Sequence, residues 1–226
     1  MPPPISILTH NRESNDWHVK NARKADIAEV VEIHQAAFPD AFLTQLGPGF
    51  LKSYYTLVLN DEKGIFLVAT SSACRIVGFV AGFTRPWEFY RLMLRNSWRF
   101  AIPVLLALVR QPRLFGRVYY NMRRVWGVTP GTIVSSSCEL SSIAVAPDVS
   151  GQGLGKELVH AFLRQAWTSG ADRVYLTTEA EHNEEAIGFY SKLGFRLRRT
   201  FRQFSGRLMN EYVHDSPFLQ RPETES

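Results

Sequence analysis

Residues 140–158 read LSSIAVAPDVSGQGLGKEL. A β-like apolar run closes at Ala146-Pro147. Three glycines, Gly151, Gly153 and Gly155, then fall within five residues. The run that follows places Leu154, Leu158, Phe162, Gln165 and Ala166 roughly on one face, which predicts a helix. Glycines between a strand and a helix start leave backbone N–H groups unpaired, at the positive end of the helix dipole. They also let a ligand come close to the backbone. Two phosphate patterns fail on counting. A Walker A loop, G-x-x-x-x-G-K-[ST], would need glycine at Ser150 and a hydroxyl at Glu157. A dinucleotide G-x-G-x-x-G would need glycine at Lys156 or Leu158. A pyrophosphate fits what remains; a plain flexible βα turn is the alternative that the loop alone leaves open.

Working outward, residues 1–15 are polar and proline-rich and read as a loose tail. Trp17–Asn21 reads as a strand, and Asp26 caps a helix to about Ala37, with Ile27, Val30, Val31 and His34 at helical spacing. A helix over Gly49–Leu59 follows. Ile65–Thr70 and Cys74–Phe83 read as a hairpin. Residues 86–126 look helical, with Pro103 and Pro112 as punctuation. Thr132–Val145 is β-like, Val174–Thr178 reads as a strand, and Asn183–Leu193 reads as a helix closed by Gly194. Phe195–Phe204 and Arg207–Tyr212 form a terminal hairpin around Ser205-Gly206, and residues 216–226 a second tail. The order is mixed α/β, with helices packed on a sheet.

The 226 residues suit one generous domain or a small domain with an insertion. The net charge of +5 becomes −3 once the eight arginines between Arg91 and Arg124 are set aside, and that tract holds no acid or lysine. One segment is basic rather than the whole surface, which argues against nucleic acid as a partner. Cys74 and Cys138 read as two buried thiols in a reducing compartment. MPPPISILTH shows no basic stretch followed by an apolar core, so no signal peptide is expected. The longest apolar run, Phe100–Val109, is too short for a bilayer, which takes about 20 residues. The six histidines show no ligand spacing, so no metal is expected. The expected location is cytoplasmic, with peripheral contact to the inner membrane as an option.

Two motifs together resemble the GNAT superfamily of acyl-CoA-dependent N-acyltransferases, over roughly residues 134–205. The first is the strand, loop and helix quoted above, similar to the family's [RQ]-x-x-G-x-[GA], with Gly153 and Gly155 at the two small positions. Ser150 departs from the usual Arg or Gln, which weakens one phosphate-side contact; Gln152 and Lys156 lie nearby. The second is NEEAIGFYSKLGFRL, similar to N-x-x-A-x-x-x-Y-x-K-x-G-F at Asn183, Ala186, Tyr190, Lys192, Gly194 and Phe195. The resemblance implies a mixed central sheet with two splayed parallel strands, flanking helices and a helical arginine-rich insertion. It also implies a single acetyltransferase domain over residues 16–215. Acetyl-CoA would be the donor. Ile143, Ala144 and Val145 would offer backbone groups to the pantetheine arm. The amides of Val149, Ser150, Gly151, Gln152, Gly153, Leu154, Gly155 and Lys156 would hold the pyrophosphate, and Asn183 would sit beside the pantetheine.

Acetyl transfer to an amine needs a base, a donor for the oxyanion and a proton for the departing thiolate. Tyr190 matches the family's general acid. Glu139, on the strand leading to the family's β-bulge, is the candidate base; a water held by Ser141 and Ser142 is the alternative. The oxyanion donor is expected at a backbone N–H near the bulge, around Ile143–Val145. Arg91, Arg95 and Arg99 recur every fourth residue and are expected to share one helix face. They are candidates for an anionic acceptor such as an amino sugar carrying a nucleotide, or for an anionic membrane surface; a lid or homodimer contact whose arginines are merely solvated is the third option.

Overall fold

The computed structural model describes residues 17–116, 118–119, 136–203 and 206–218. The N-terminal tail, most of the C-terminal one, Arg117 and residues 120–126 of the insertion, residues 132–135, Phe204 and Ser205 lie outside that set. The elements run β1 (Trp17–Asn21), α1 (Ile27–Ala37), α2 (Phe42–Gln45), α3 (Pro48–Asn60), β2 (Gly64–Ser71), β3 (Ile76–Thr84), α4 (Pro86–Arg95) and α5 (Trp98–Arg110). Then come β4 (Ser137–Val145), α6 (Leu154–Thr168), β5 (Arg173–Glu179), α7 (Glu184–Lys192), β6 (Arg196–Arg202) and β7 (Leu208–Asp215). The seven strands form one sheet in the order β1-β2-β3-β4-β5-β7-β6. Every neighbouring pair is antiparallel except β4 with β5.

All nine residues of β3 are buried, as in a strand covered on both faces. Phe79, Ala81 and Phe83 point into a cluster with α1, α3, α4 and α5. Val80 points into the opposite cluster, built on Leu154, Leu158 and Phe162 of α6. The register between β3 and β4 slips once: Ala81 faces Ser142, but Gly82 faces Leu140. Ser141 is therefore the extra residue of a β-bulge. The bulge shifts the side-chain alternation by one, so Cys138 and Leu140 face α6 before it, and Ile143 and Val145 do so after it.

The two parallel strands then part. β4 and β5 pair only at Ser137–Arg173, Cys138–Val174 and Glu139–Tyr175. β4 goes on following β3 as far as Val145–Gly78. β5 follows β7 over its whole length, Arg173–Asp215 to Glu179–Met209. A gap opens between the halves of the sheet, which is the splay that the sequence motifs imply.

One element is added and three expectations need correction. The short helix α2 was not anticipated, because four residues carry too little periodicity. Pro103 does not end a helix but lies inside α5; the Arg99 carbonyl, which Pro103 cannot serve, accepts from Ser53 Oγ at 3.4 Å instead. Arg91, Arg95 and Arg99 do not share a helix face, because the chain breaks after Arg95 and α4 meets α5 at 80°. The Asn96 side chain closes α4 by donating to the Leu92 carbonyl at 2.9 Å. Finally, Cys138 is buried but Cys74 is exposed, in the turn between β2 and β3.

Gly82 is what lets the bulge pack. A Cβ there would lie 2.0 Å from the Glu139 carbonyl oxygen and 2.6 Å from Phe162 Cζ. Gly82→Ala should lower unfolding free energy by about 3 kcal/mol in denaturant titration. Gly188→Ala, where a Cβ meets nothing within 4 Å, should leave stability equal or raise it by up to about 1 kcal/mol.

Candidate active site

The gap between β4 and β5 is the floor of a cleft of about 1040 Å³. Its walls come from α1 and α2 on one side and from the start of α6, the end of β5 and α7 on the other. Ile143, Ala144, Val145, Val149, Ser150, Gly151, Gly153, Gly155, Lys156, Asn183 and Tyr190 all line it. Residues chosen from two separate motifs thus meet at one cavity. Gln152 and Leu154 are not among the lining residues: the Gln152 amide donates to the Asp148 carbonyl at 3.4 Å, and the Leu154 side chain is buried in the α6 cluster.

The loop has the form that an anion needs. Pro147–Val149 makes a single 3-10 turn. Gly151 and Gly153 have φ of +78° and +93°, conformations that glycine adopts without strain. Gly153 is the N-cap of α6, and no side chain caps the helix. The first-turn N–H groups therefore face the cleft mouth without a side-chain acceptor. Added Cβ atoms at Gly151 and Gly153 would meet nothing within 4 Å, so the space above the backbone is open. At the other wall, Asn183 starts α7 and ties it to β5, its amide donating to the Glu179 carbonyl at 3.2 Å.

The bulge sets the polar part of the cleft floor. It places Ser141 and Ser142 on the cleft floor, against two tyrosines of α3. Tyr54 OH and Ser141 Oγ share a 2.6 Å hydrogen bond. Tyr55 OH reaches Ser142 and lies 2.7 Å from His34 Nδ1. Burial pushes both phenols up, so both stay protonated. The bulge sits at Ser141, before the expected span Ile143–Val145 rather than within it. Tyr190 lines the cleft from α7; burial pushes its phenol up to about 12, so it too holds its proton at neutral pH.

Glu139 is not a lining residue. Its carboxylate accepts from Tyr90 OH at 3.0 Å and from Tyr175 OH at 2.7 Å. Its charge also acts on Tyr54, and so connects to Ser141. Tyr90 belongs to α4, so the insertion reaches the site through a tyrosine. Arg91, Arg95 and Arg99 are not among the lining residues. Tyr54, Tyr55, Tyr90 and Tyr175 were missed in the sequence: they carry no motif, and only the register of β4 brings them together. His34, which falls at helical spacing in α1, lines the cleft as well. Among the described residues no group of three or more His, Cys, Asp or Glu is placed to hold a metal ion.

The model of the Acetyltransferase (GNAT) family matches residues 27–195. This chain belongs to the GNAT acetyltransferase family. It is an acyl-CoA-dependent N-acyltransferase by that membership. The N-alpha-acetyltransferase of Sulfurisphaera tokodaii is 24% identical over 209 residues, covering 91% of this chain and 96% of that protein. The mycothiol acetyltransferase of Saccharomonospora viridis is 33% identical over 112 residues, covering 49% of this chain and 35% of that one. Among solved structures, yncA of Salmonella typhimurium, determined with acetyl-CoA, superposes with a TM-score of 0.57 at 16% identity, covering 93% of this chain and 99% of that one. Ard1 of Thermoplasma volcanium gives 0.57 at 16%, covering 88% and 98%. These likenesses show the fold. The GNAT family uses acetyl-CoA, and in this member the parted strands, the uncapped helix start and the open glycines fit such a donor.

His34 gives this site a pH signature. Burial lowers its pKa from 6.5 to about 4. The unfolded chain takes up the proton first, so stability is intact above pH 6.5 and falls as pH drops toward 4. Urea titrations at about pH 7 and about pH 4.5 should show the wild type losing about 2 kcal/mol more over this window than His34→Gln. Equal losses would contradict a neutral, buried His34.

Proposed function

We propose that this GNAT enzyme moves the acetyl group of acetyl-CoA to the primary amine of a small molecule or amino sugar, by direct attack in a ternary complex. The observation that carries the reading is the shared cleft, which an anion-ready loop, Tyr190 and the two serines all line. Residues 16–215 then act as one domain, with residues 86–126 as an insertion. The reaction belongs in the cytoplasm, where acetyl-CoA is supplied.

In this reading the pyrophosphate lies on the amides of Val149–Lys156, with Lys156 at the rim. The pantetheine arm pairs with the free edge of β4 at Ile143–Val145, beside Asn183. The amine nitrogen attacks the thioester carbonyl and a C–N bond forms. A backbone N–H of β4 beyond the bulge receives the oxyanion. The intermediate collapses, the C–S bond breaks, and Tyr190 gives its proton to the sulfur; solvent returns it. The amine's proton leaves through the Ser141 hydroxyl and water toward Glu139. Glu139 thus acts without lining the cleft itself, held in place by Tyr90 and Tyr175.

A second reading, acetylation of a peptide or protein amine, is favoured by one observation: the N-alpha-acetyltransferase of Sulfurisphaera tokodaii matches nearly end to end. Thiol release from acetyl-CoA over a panel of sugar amines, polyamines, aminoglycosides and peptide N-termini separates the two. Turnover confined to peptides would replace the first reading by the second. No turnover with any amine, in protein that binds acetyl-CoA, would remove both.

Tyr190→Phe should lower kcat about 100-fold and leave acetyl-CoA affinity within about two-fold. Unchanged turnover would remove Tyr190 from the mechanism. Glu139→Gln should lower turnover at neutral pH about 10-fold or more, with recovery as pH rises toward the acceptor's own pKa. A loss that is flat across pH would make Glu139 structural.

A further inference from the structure

α5 carries two apolar faces. Phe100, Val104, Ala107 and Leu108 pack on the domain, and the Phe100 ring lies 5.0 Å from that of Phe50. On the opposite side Trp98, Ile102, Leu105, Leu106 and Val109 recur at helical spacing and are bare. Trp98 and Ile102 are 69% exposed and Val109 is 72% exposed. Of nine large hydrophobics exposed among the described residues, seven lie between Trp98 and Tyr119. Five of them share the outer side of α5, so the bare surface there is a stripe and not scatter.

The charge around it has one sign. No Asp, Glu or Lys occurs between Glu88 and Glu139. Arg91, Arg95, Arg99, Arg110 and Arg113 are exposed, and none of them forms an ion pair with a described residue. Arg91 lies over the Trp87 ring at 5.1 Å, and Arg99 over the Trp98 ring at 5.2 Å. These arginines are spare cations held at the edge of an aromatic and aliphatic stripe.

We propose that the outer face of α5, with its flanking arginines, docks this enzyme on an anionic lipid surface. Lipid headgroup phosphates meet guanidinium groups, and the acyl boundary takes Trp98, Ile102, Leu105 and Val109. The α5 helix has 13 residues and is about 20 Å long, short of the roughly 30 Å hydrocarbon core. It also meets α4 at 80°. The pair therefore lies in the interface and does not cross it. A second copy of the chain fits less well, because two such faces would oppose arginine to arginine. The inference stands apart from the choice of acceptor amine.

Flotation with phosphatidylcholine vesicles, with and without phosphatidylglycerol, tests it on the whole protein. The wild type should float with phosphatidylglycerol-containing vesicles only, and raising salt from about 0.1 M to about 1 M should release it. The double variant Ile102→Glu/Val109→Glu should lose vesicle binding at least about ten-fold while keeping acetyl-CoA affinity, which shows that it is folded. If that variant fails to fold, Arg95→Gln/Arg99→Gln/Arg110→Gln supplies the second test: it should bind anionic vesicles at least about ten-fold more weakly, with little salt dependence left. Absence of wild-type flotation, or flotation unaffected by either variant, overturns the proposal. So does a wild-type dimer in light scattering that both variants dissociate, if no vesicle binding accompanies it; α5 would then be a contact between copies.

Discussion

β4 and β5 share three parallel residue pairs, end at Glu139–Tyr175, and then separate. Each strand keeps its antiparallel partner on the far side: β4 stays with β3, and β5 with β7. Apart from the bulge, those outer edges stay paired, so the open backbone groups of β4 and β5 beyond Glu139 and Tyr175 lie on the side that faces the gap. The bulge at Ser141 is the local cause. It adds a residue to β4 but not to β3, bends the strand and reverses which side chains face α6. Gly82 makes room for it, since any side chain there would strike the Glu139 carbonyl. The gap is thus held by packing, and the loop of Gly151 and Gly153 opens at its end.

The same bulge organises the polar side of the cleft. It sets Ser141 and Ser142 side by side over Tyr54 and Tyr55 and leaves Glu139 one step behind, between Tyr90 and Tyr175. Four phenols thus surround one carboxylate and two hydroxyls. A phenol donates and accepts, so such a cluster can pass a proton without moving its heavy atoms. Because Tyr90 comes from α4, displacement of the insertion would act on Glu139 first. The basic segment is then connected to this polar cluster through a hydrogen bond at 3.0 Å.

Much of this was legible in the sequence. The glycine loop, the helix after it and the Asn183–Tyr190 motif have local patterns, and most strand and helix limits fell within two residues. The family resemblance implied the splay, and the strand register shows it. The rest was not local. The four tyrosines carry no spacing signal and meet only because β3, β4 and β5 bring distant residues into register. The arginine spacing misled because a period of four assumes one continuous helix, whereas Asn96-Ser97 breaks it. Pro103 misled for the opposite reason: a serine on another helix satisfies the carbonyl that a proline leaves free. Glu139 was legible as a residue of the strand leading to the bulge, but its partners Tyr90 and Tyr175 were not.

The central claim is that the opened β4 edge and the glycine loop together receive acetyl-CoA. Amide hydrogen exchange, with and without acetyl-CoA, tests it residue by residue. Bound donor should slow exchange at Ile143–Val145 and across Val149–Lys156 together, with β1 and β2 unchanged. Protection confined to other segments, or none at the loop while acetyl-CoA is bound, would contradict the account.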